Sequence, residues 1–186
     1  MYCVYLGKAV QTVNPPNASV GLSQLSATGT KDSTTFLRGD NTFASAGGDN
    51  TPAFLAKPVT AATLSDDTIT KISFTEAYDS DNKFDGSKFT PGTAGHYQVN
   101  AIISLHNGSS NGYGGKVDIY KNGSADNSLV SRVDGDASFA QLRLVVAGVI
   151  YLDADDYIEV YASFNTTSGN TSVQTLGQFS AFKIIT

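Results

Sequence analysis

Tyr97-Gln98-Val99-Asn100-Ala101-Ile102-Ile103-Ser104-Leu105 is the stretch that decides the fold class. Its odd-numbered residues are all apolar, and its even-numbered residues are mostly polar. A period of two residues is typical of a half-buried β-strand, because successive side chains of a strand point to opposite faces of the sheet. We therefore predict a long strand over residues 97–105.

A β-hairpin is predicted immediately downstream of this strand. Residues 116–121 alternate in the same way, and residues 129–133 are predicted to form the returning strand. Between them, Asn122-Gly123 supplies the positive φ angles that a tight hairpin turn requires.

Three more segments complete the β pattern. Residues 142–152 and 157–164 are predicted to pair as a second hairpin around Asp153-Ala154-Asp155-Asp156, whose carboxylates can cap backbone amides. Residues 179–185 are β-branched and aromatic enough for a buried final strand. No segment has a helical period of useful length, so the pattern indicates an all-β sandwich or jelly roll.

Composition and charge exclude several classes of protein. The 186 residues are 40% hydrophobic, which predicts one folded domain with an appendage. The single cysteine, Cys3, cannot form an intramolecular disulfide. The net charge is −5 and no basic stripe is present, so nucleic acid is a poor partner. The longest apolar run, residues 145–152, is far short of the roughly 20 residues of a membrane span, and no membrane insertion is expected.

The first 50 residues differ in composition from the rest. They carry three basic and three acidic residues, whereas residues 51–186 carry nine and fourteen. We predict an N-terminal anchor strand over residues 1–13, an extended linker arm over residues 14–50 and a head domain over residues 51–186. The side chains expected to anchor the chain to a partner are Tyr2, Val4, Tyr5 and Leu6.

The head resembles a known family at eight landmarks in chain order. They are Pro52-Ala53-Phe54-Leu55-Ala56, Ile72-Ser73-Phe74, Phe84-Asp85, Lys88-Phe89-Thr90-Pro91-Gly92, Ala94-Gly95-His96-Tyr97, Tyr120-Lys121-Asn122-Gly123, Asp155-Asp156-Tyr157-Ile158-Glu159-Val160 and Gly177-Gln178-Phe179-Ser180-Ala181-Phe182. Together they resemble the globular head of the complement one-q and tumour necrosis factor superfamily. The resemblance implies a ten-strand jelly roll that assembles as a homotrimer.

Four aromatic residues are candidates for the trimer interface that this resemblance implies. They are Tyr97, Tyr161, Phe179 and Phe182. Aromatic side chains line the trimer axis in heads of this family, but they can equally fill the space between two sheets. Parity along a strand does not distinguish these uses.

The arm carries a second resemblance. Ser33-Thr34-Thr35-Phe36-Leu37-Arg38-Gly39-Asp40-Asn41-Thr42-Phe43-Ala44 is similar to a "T-F-L-R-G-D-G-T-W" segment that recurs in bacteriophage tail and head fibres. This likeness implies a virion protein whose first 50 residues contact other virion proteins. Arg38-Gly39-Asp40 is interpreted as a turn rather than an integrin ligand.

No cofactor or metal is expected. Asp79, Asp81 and Asp85, with Asn82, could offer oxygens to calcium, but the segment lacks the glycine and terminal glutamate of a helix-loop-helix site, so a solvated acidic loop is preferred. No nucleophile, base and orienting group occur together, and the chain is not expected to be an enzyme.

These observations favour a bacteriophage fibre or capsid decoration protein whose trimeric jelly-roll head attaches the virion to a host-surface glycan or envelope protein. Two loops suit carbohydrate binding, because Asn and Ser hydrogen-bond sugars and an aromatic ring stacks on them. The candidate ligand residues there are Asn107, Asn111, Tyr113, Asn165 and Asn170.

Two other functions stay open at this point. The protein could cement capsid or neck proteins without touching the host. It could also be a surface or secreted lectin-like module of the same fold.

Overall fold

The computed structural model describes Tyr2, Asn17 and residues 21–24, 26–45, 50–59, 63–108 and 111–184. Apart from a 3-10 turn at Leu22–Gln24, its regular elements are strands. They are β1 (Thr35–Leu37), β2 (Phe43–Ser45), β3 (Ala53–Pro58), β4 (Thr63–Leu64), β5 (Thr70–Lys71), β6 (Phe74–Asp79), β7 (Lys88–Phe89), β8 (Gly95–His106), β9 (Gly112–Lys121), β10 (Ser124–Phe139), β11 (Gln141–Leu152), β12 (Ile158–Thr166) and β13 (Thr171–Lys183). The all-β prediction is confirmed.

The chain forms two compact units, Met1–Gly48 and Asp49–Thr186. The second unit, the head, contains two antiparallel sheets. The five-stranded sheet has the order β10-β9-β12-β5, with β7 also paired to β12. The six-stranded sheet has the order β11-β8-β13-β3-β6, with β4 also paired to β13.

Strand β8 has the predicted alternation. Its odd-numbered side chains from Tyr97 to Leu105 are all buried. β11 pairs with β8 along its whole length and contributes Leu144, Val146, Ile150 and Leu152 to the same interior. The apolar faces of the two sheets therefore enclose one hydrophobic core.

Phenylalanines from distant segments meet in this core. The Phe54 ring centroid lies 4.6 Å from those of Phe84 and Phe89 and 4.8 Å from that of Phe179. Phe74 joins them, with its centroid 5.3 Å from that of Phe179. We call these five residues the phenylalanine cluster. Stacked and edge-to-face contacts of this kind add to the stability that area burial provides.

The predicted hairpin at Asn122-Gly123 is confirmed. β9 and β10 pair across it, and the two turn residues have φ angles of 53° and 77°. Asparagine and glycine tolerate this left-handed backbone better than other residues.

The predicted second hairpin is wrong. β11 pairs with β8 in the six-stranded sheet, whereas β12 pairs with β9 in the five-stranded sheet. Residues 153–156 thus connect the two sheets instead of two neighbouring strands. The error has a physical cause, since both arrangements need a short polar turn and one buried apolar face on each flanking strand.

The N-terminal unit contains a hairpin where an extended arm was expected. β1 and β2 pair in antiparallel fashion, with Thr35 opposite Ser45 and Leu37 opposite Phe43. Residues 38–42 turn the chain between them. Asp40 Oδ1 accepts hydrogen bonds from the backbone and hydroxyl of Thr42, at 3.1 and 2.6 Å. The interpretation of Arg38-Gly39-Asp40 as a turn is therefore confirmed.

Asp156 fastens the connection between the sheets. Its Oδ2 lies 2.7 Å from Lys121 Nζ, and its Oδ1 accepts a hydrogen bond of 2.6 Å from Asn122 Nδ2. The Asp153 backbone N–H also donates to Oδ2, at 2.8 Å. The Lys121 and Asn122 bonds, with the backbone bond, hold the pKa of Asp156 at about 2, below its ordinary value of 3.8.

The low pKa of Asp156 predicts a pH-dependent contribution to stability. Because the pKa of Asp156 is lower in the folded chain, its carboxylate stabilises the fold at pH values above the ordinary pKa of 3.8. This stabilisation is lost as the pH falls through about 2. Asp156→Asn should lower the free energy of unfolding at neutral pH by about 1 kcal/mol, and this difference should vanish near pH 2. Urea unfolding followed by circular dichroism measures both values.

The matched control is Asp155→Asn, whose parent side chain is exposed on the same turn. It removes the same charge and should leave the unfolding midpoint nearly unchanged. An equal loss in both variants, or a loss at Asp156 that persists at pH 2, would contradict the assigned role.

Candidate ligand-binding site

A pocket opens on the outward face of the five-stranded sheet, near one end of β9, β10 and β12. Its empty volume is about 290 Å³. Lys116 of β9 lies between Arg132 of β10 and Ser163 of β12, and the three are direct cross-strand partners. The lining residues are Asp67, Gly115, Lys116, Arg132, Asp134, Ser163 and Asn165. We call this site the polar pocket.

Each cation of the polar pocket has a carboxylate beside it. Arg132 Nε donates to Asp134 Oδ2 at 2.5 Å, and Lys116 Nζ lies 2.6 Å from Asp118 Oδ2. The bond to Asp134 raises the pKa of the Arg132 guanidinium, and the charge of Asp67 acts in the same direction. Asp118 is buried, so its charge depends on Lys116 for compensation.

Asp67 reaches the pocket from the loop before β5. Its φ is 50°, a left-handed conformation that aspartate tolerates better than most residues. Two hydrogen bonds attach this loop to β12. The Asp67 backbone N–H donates to Phe164 O at 3.1 Å, and Asp66 Oδ1 accepts from the Thr166 backbone N–H at 2.8 Å.

Two glycines of β9 lie at tightly packed positions near the pocket, Gly115 facing the core and Gly114 facing outward. A Cβ on Gly115 would lie 2.6 Å from Leu142 Cδ2, and one on Gly114 would lie 3.1 Å from Val133 O. Gly115 therefore lets the opposite sheet pack closely, and Gly114 lets β10 approach β9. A bulge follows at Tyr113, which both strand registers omit and whose side chain is exposed.

The structure separates the five predicted ligand residues. Asn165 lines the polar pocket, whereas Tyr113 and Asn170 are exposed outside it. Asn111 Nδ2 donates to Ser168 Oγ at 2.7 Å, and Asn111 O accepts from the Thr167 backbone N–H at 3.0 Å. Asn111 thus holds the loop after β12.

Asn107 is a structural residue and not a ligand residue, which corrects the prediction. Its side chain is buried, and its Nδ2 donates to Thr166 Oγ1 at 2.9 Å and to Ser168 O at 3.3 Å. These bonds attach the end of β8 to the end of β12, across the two sheets. The polarity of asparagine suggested recognition, but it satisfies buried loop atoms instead.

Tyr97 and Phe179 are also corrected. Both are completely buried between the sheets, so neither can present a surface to another subunit. The Tyr97 hydroxyl donates to Thr93 O at 2.7 Å, and burial raises the pKa of Tyr97 to about 12. Phe179 belongs to the phenylalanine cluster.

Tyr161 and Phe182 lie on the outward faces of different sheets. Tyr161 stacks on Tyr120 with a centroid distance of 4.0 Å, on the five-stranded sheet beside the polar pocket. Phe182 is 37% exposed on the six-stranded sheet.

The outward side of the six-stranded sheet carries several exposed apolar side chains. Val145 and Val149 of β11 are 54% and 52% exposed, and Tyr151 on the same strand is also exposed. Gln98 of β8 pairs with Val149 on one side and Phe182 on the other. We call Val145, Val149, Tyr151 and Phe182 the apolar face. Exposed apolar residues that share one face, here with Gln98 between Val149 and Phe182, are typical of a protein contact.

The calcium candidates act as turn caps. Asp79 Oδ2 accepts from the Phe84 backbone N–H at 2.7 Å, and Asp85 Oδ1 accepts from that of Lys88 at 2.8 Å. The carboxylate of Asp81 accepts from the Ser80 hydroxyl. Among the described residues, no group of three or more His, Cys, Asp or Glu side chains is arranged to hold a metal ion.

Most of the predicted anchor lies outside the described residues, since Val4, Tyr5 and Leu6 are not among them. Tyr2 is described and is fully exposed. Across the parts of the chain that are described, no helix is long and apolar enough to cross a membrane.

Sequence reasoning missed most of the polar pocket. Asp67, Lys116, Arg132, Asp134 and Ser163 come from four separate segments, and only the pairing of β9, β10 and β12 brings them together. The sequence did carry one usable signal. Lys116 and Ser163 alternate with buried apolar residues of their strands, which places both side chains on the outward face.

Solved structures share the fold of the head. The globular domain of zebrafish complement 1qA protein is 14% identical, with a TM-score of 0.52 over 72% of this chain and 97% of that chain. Murine APRIL at pH 5.0 is 15% identical, with a TM-score of 0.52 over 71% and 98%. Eiger TNF from S. frugiperda is 12% identical, with a TM-score of 0.51 over 71% and 91%. The predicted jelly-roll fold of the complement one-q and tumour necrosis factor type is confirmed.

A scan against protein-family models and a search of curated proteins give no match. At these low identities, the solved structures establish the fold alone.

The clamp formed by Asn107 can be tested by mutation. Asn107→Ala leaves Thr166 Oγ1 and Ser168 O without this donor, so it should lower the free energy of unfolding by about 1–3 kcal/mol. Asn170→Ala, on the exposed side of the same loop, should change it by less than about 0.5 kcal/mol. Urea unfolding of both variants measures the difference, and equal stabilities would contradict the clamp.

Proposed function

We propose that the chain is a bacteriophage virion protein, a fibre or capsid decoration whose homotrimeric head attaches the particle to the host surface. The observation that carries the proposal is the division into two units. The fibre-like segment over residues 33–44 forms the hairpin of the N-terminal unit, and the jelly roll forms a unit of its own. A small unit joined to a larger binding head suits a protein that is fixed at one end and binds at the other.

The apolar face supports assembly of the head. Exposed valine, tyrosine and phenylalanine side chains on one sheet face are costly in water, and contact with other copies of the chain removes this cost. A homotrimer covers the face of each head by cyclic contacts between identical subunits. The opposite sheet, with the polar pocket, carries paired charges on its outward side and is suited to solvent.

Binding rather than catalysis is the proposed activity. Both cations of the pocket are in ion pairs, Lys116 with Asp118 and Arg132 with Asp134, and the two histidines lie on β8 of the other sheet. The polar pocket offers several hydrogen-bond donors and acceptors, which is the chemistry of recognition.

The assembly part of the proposal predicts the effect of one charge. The native chain should sediment as a trimer of 19.5 kDa subunits. Val149→Lys places an ammonium group on the apolar face and should shift the protein to monomers, because a charge is costly to bury without a partner. Analytical ultracentrifugation measures the mass.

Val130→Lys is the control, because Val130 is an exposed valine on the opposite sheet, paired with Asp118. It should leave the trimer intact. A monomeric native chain, or an unchanged trimer in Val149→Lys, would contradict assembly through the apolar face.

The attachment part is tested with particles that carry the protein. Host cells incubated with an excess of the purified full chain should adsorb these particles several-fold more slowly, because the chain occupies the same receptors. Two results together would instead indicate a cementing protein. Adsorption would proceed at the normal rate in the presence of the added chain, and particles that lack the protein would be less resistant to heat. Absence of the chain from purified particles by immuno-electron microscopy would indicate a lectin-like module outside the virion.

A further inference from the structure

We propose that the polar pocket binds one neutral sugar ring, through adjacent hydroxyl groups. This inference deepens the proposed function and rests on it for the source of the sugar, a host-surface glycan. It places carbohydrate binding on the outward face of the five-stranded sheet, with Asn165 as the one predicted ligand residue that lines the site.

The pocket's dimensions favour a single ring. Its empty volume of about 290 Å³ includes space open to solvent, so it is a shallow depression smaller than most small-molecule pockets, and it can contact one face of a single ring but not enclose a longer chain. Every lining residue except Gly115 has a polar or charged side chain, which favours a ligand that forms hydrogen bonds.

The lining matches the hydrogen-bonding capacity of a diol. Lys116 and Arg132 are donors only, and Asp67 and Asp134 are acceptors only when ionised. Ser163 and Asn165 can do both. Because each hydroxyl of a sugar both donates and accepts, neighbouring hydroxyls can each bridge a cation and a carboxylate. A ligand with acceptors alone would satisfy half of this set.

Charge balance disfavours an anionic ligand. The two cations of the lining are matched by the two carboxylates, Asp67 and Asp134. Buried Asp118 adds a negative charge beside Lys116. A phosphate or carboxylate ligand would be repelled, because these three aspartates outnumber Lys116 and Arg132.

Several of the pocket's polar groups already have partners before a ligand arrives. Asp118 positions the Lys116 ammonium, and Asp134 positions the Arg132 guanidinium through Nε. A guanidinium has further N–H donors, so Arg132 can keep this bond and still donate to a ligand. The loop bearing Asp67 is tied to β12 at two points. Preorganised groups lose less conformational entropy on binding.

Affinity for one ring is expected in the millimolar range, because the site is small and open. The three heads of a trimer are linked to one another on the same particle. They would raise the effective affinity, because the second and third contacts become intramolecular once the first has formed.

Saturation-transfer NMR with the full chain tests the proposal directly. The probes are the methyl glycosides of glucose, galactose, mannose and N-acetylglucosamine, with methyl glucuronide as the anionic comparison. At least one neutral probe should give a saturable signal and bind more tightly than the glucuronide. No saturable signal from any neutral probe, or tighter binding of the glucuronide, would overturn the proposal.

Variants locate the binding. Arg132→Ala and Asn165→Ala should each weaken it about tenfold, the equivalent of one hydrogen bond to a charged or polar group. Arg38→Ala, in the N-terminal unit, is the matched control and should bind normally. Both Arg132 and Arg38 are exposed, so the fold should survive, and circular dichroism checks this. If Asn170→Ala abolishes binding and Arg132→Ala does not, the sugar binds at the loops and the proposal fails.

The outcomes also separate this inference from the proposed function. Suppose that no probe binds, and that purified Arg132→Ala protein slows particle adsorption as strongly as the purified native chain. The virion function then stands, and the sugar site is wrong. If a probe binds at the pocket and the chain does not slow adsorption, the sugar site stands and host attachment is wrong.

Discussion

Contact between phenylalanines on separate segments is the interaction on which the rest of the head depends. Phe54 of β3 packs on Phe179 of β13, on Phe89 of β7 and on Phe84 just before it. β3 and β13 belong to the six-stranded sheet, and β7 pairs with the five-stranded sheet, so the cluster joins both layers. Removing apolar rings from water at this point fixes which face of each strand is turned inward.

The choice of which residues of a strand face the core also determines which residues form the outward surfaces. A slip of one residue in a strand would exchange its buried and exposed side chains. Because Phe179 and Ala181 are inward, Phe182 is outward and joins the apolar face. In β9 and β12 the same rule places Lys116 and Ser163 outward, where cross-strand pairing aligns them with Arg132. The polar pocket is therefore a consequence of core packing together with register.

Local patterns were predictable from the sequence, and long-range pairings were not. The alternation over residues 97–105 and the turn at Asn122-Gly123 are encoded by neighbouring residues, and both predictions are confirmed. The pairing of residues 142–152 depends on which sheet closes over the core, and a four-residue turn is compatible with either partner. Parity also left Tyr97 ambiguous, because the inner and outer sides of a strand look alike until the opposite sheet is placed. The polar pocket needed four segments in register, which no single segment specifies.

The two outward faces of the sandwich differ in chemistry, and this difference gives the head two separable surfaces. One carries Val145 and Val149, and the other carries ion pairs such as Lys71–Glu159 and Lys116–Asp118. Since the faces lie on opposite sides of one core, covering the first with other copies of the chain leaves the second in contact with solvent. The paired charges are stable there, because each cation offsets a carboxylate that packing has partly buried. In the proposed trimer, three polar pockets would thus remain accessible, which suits attachment through individually weak contacts.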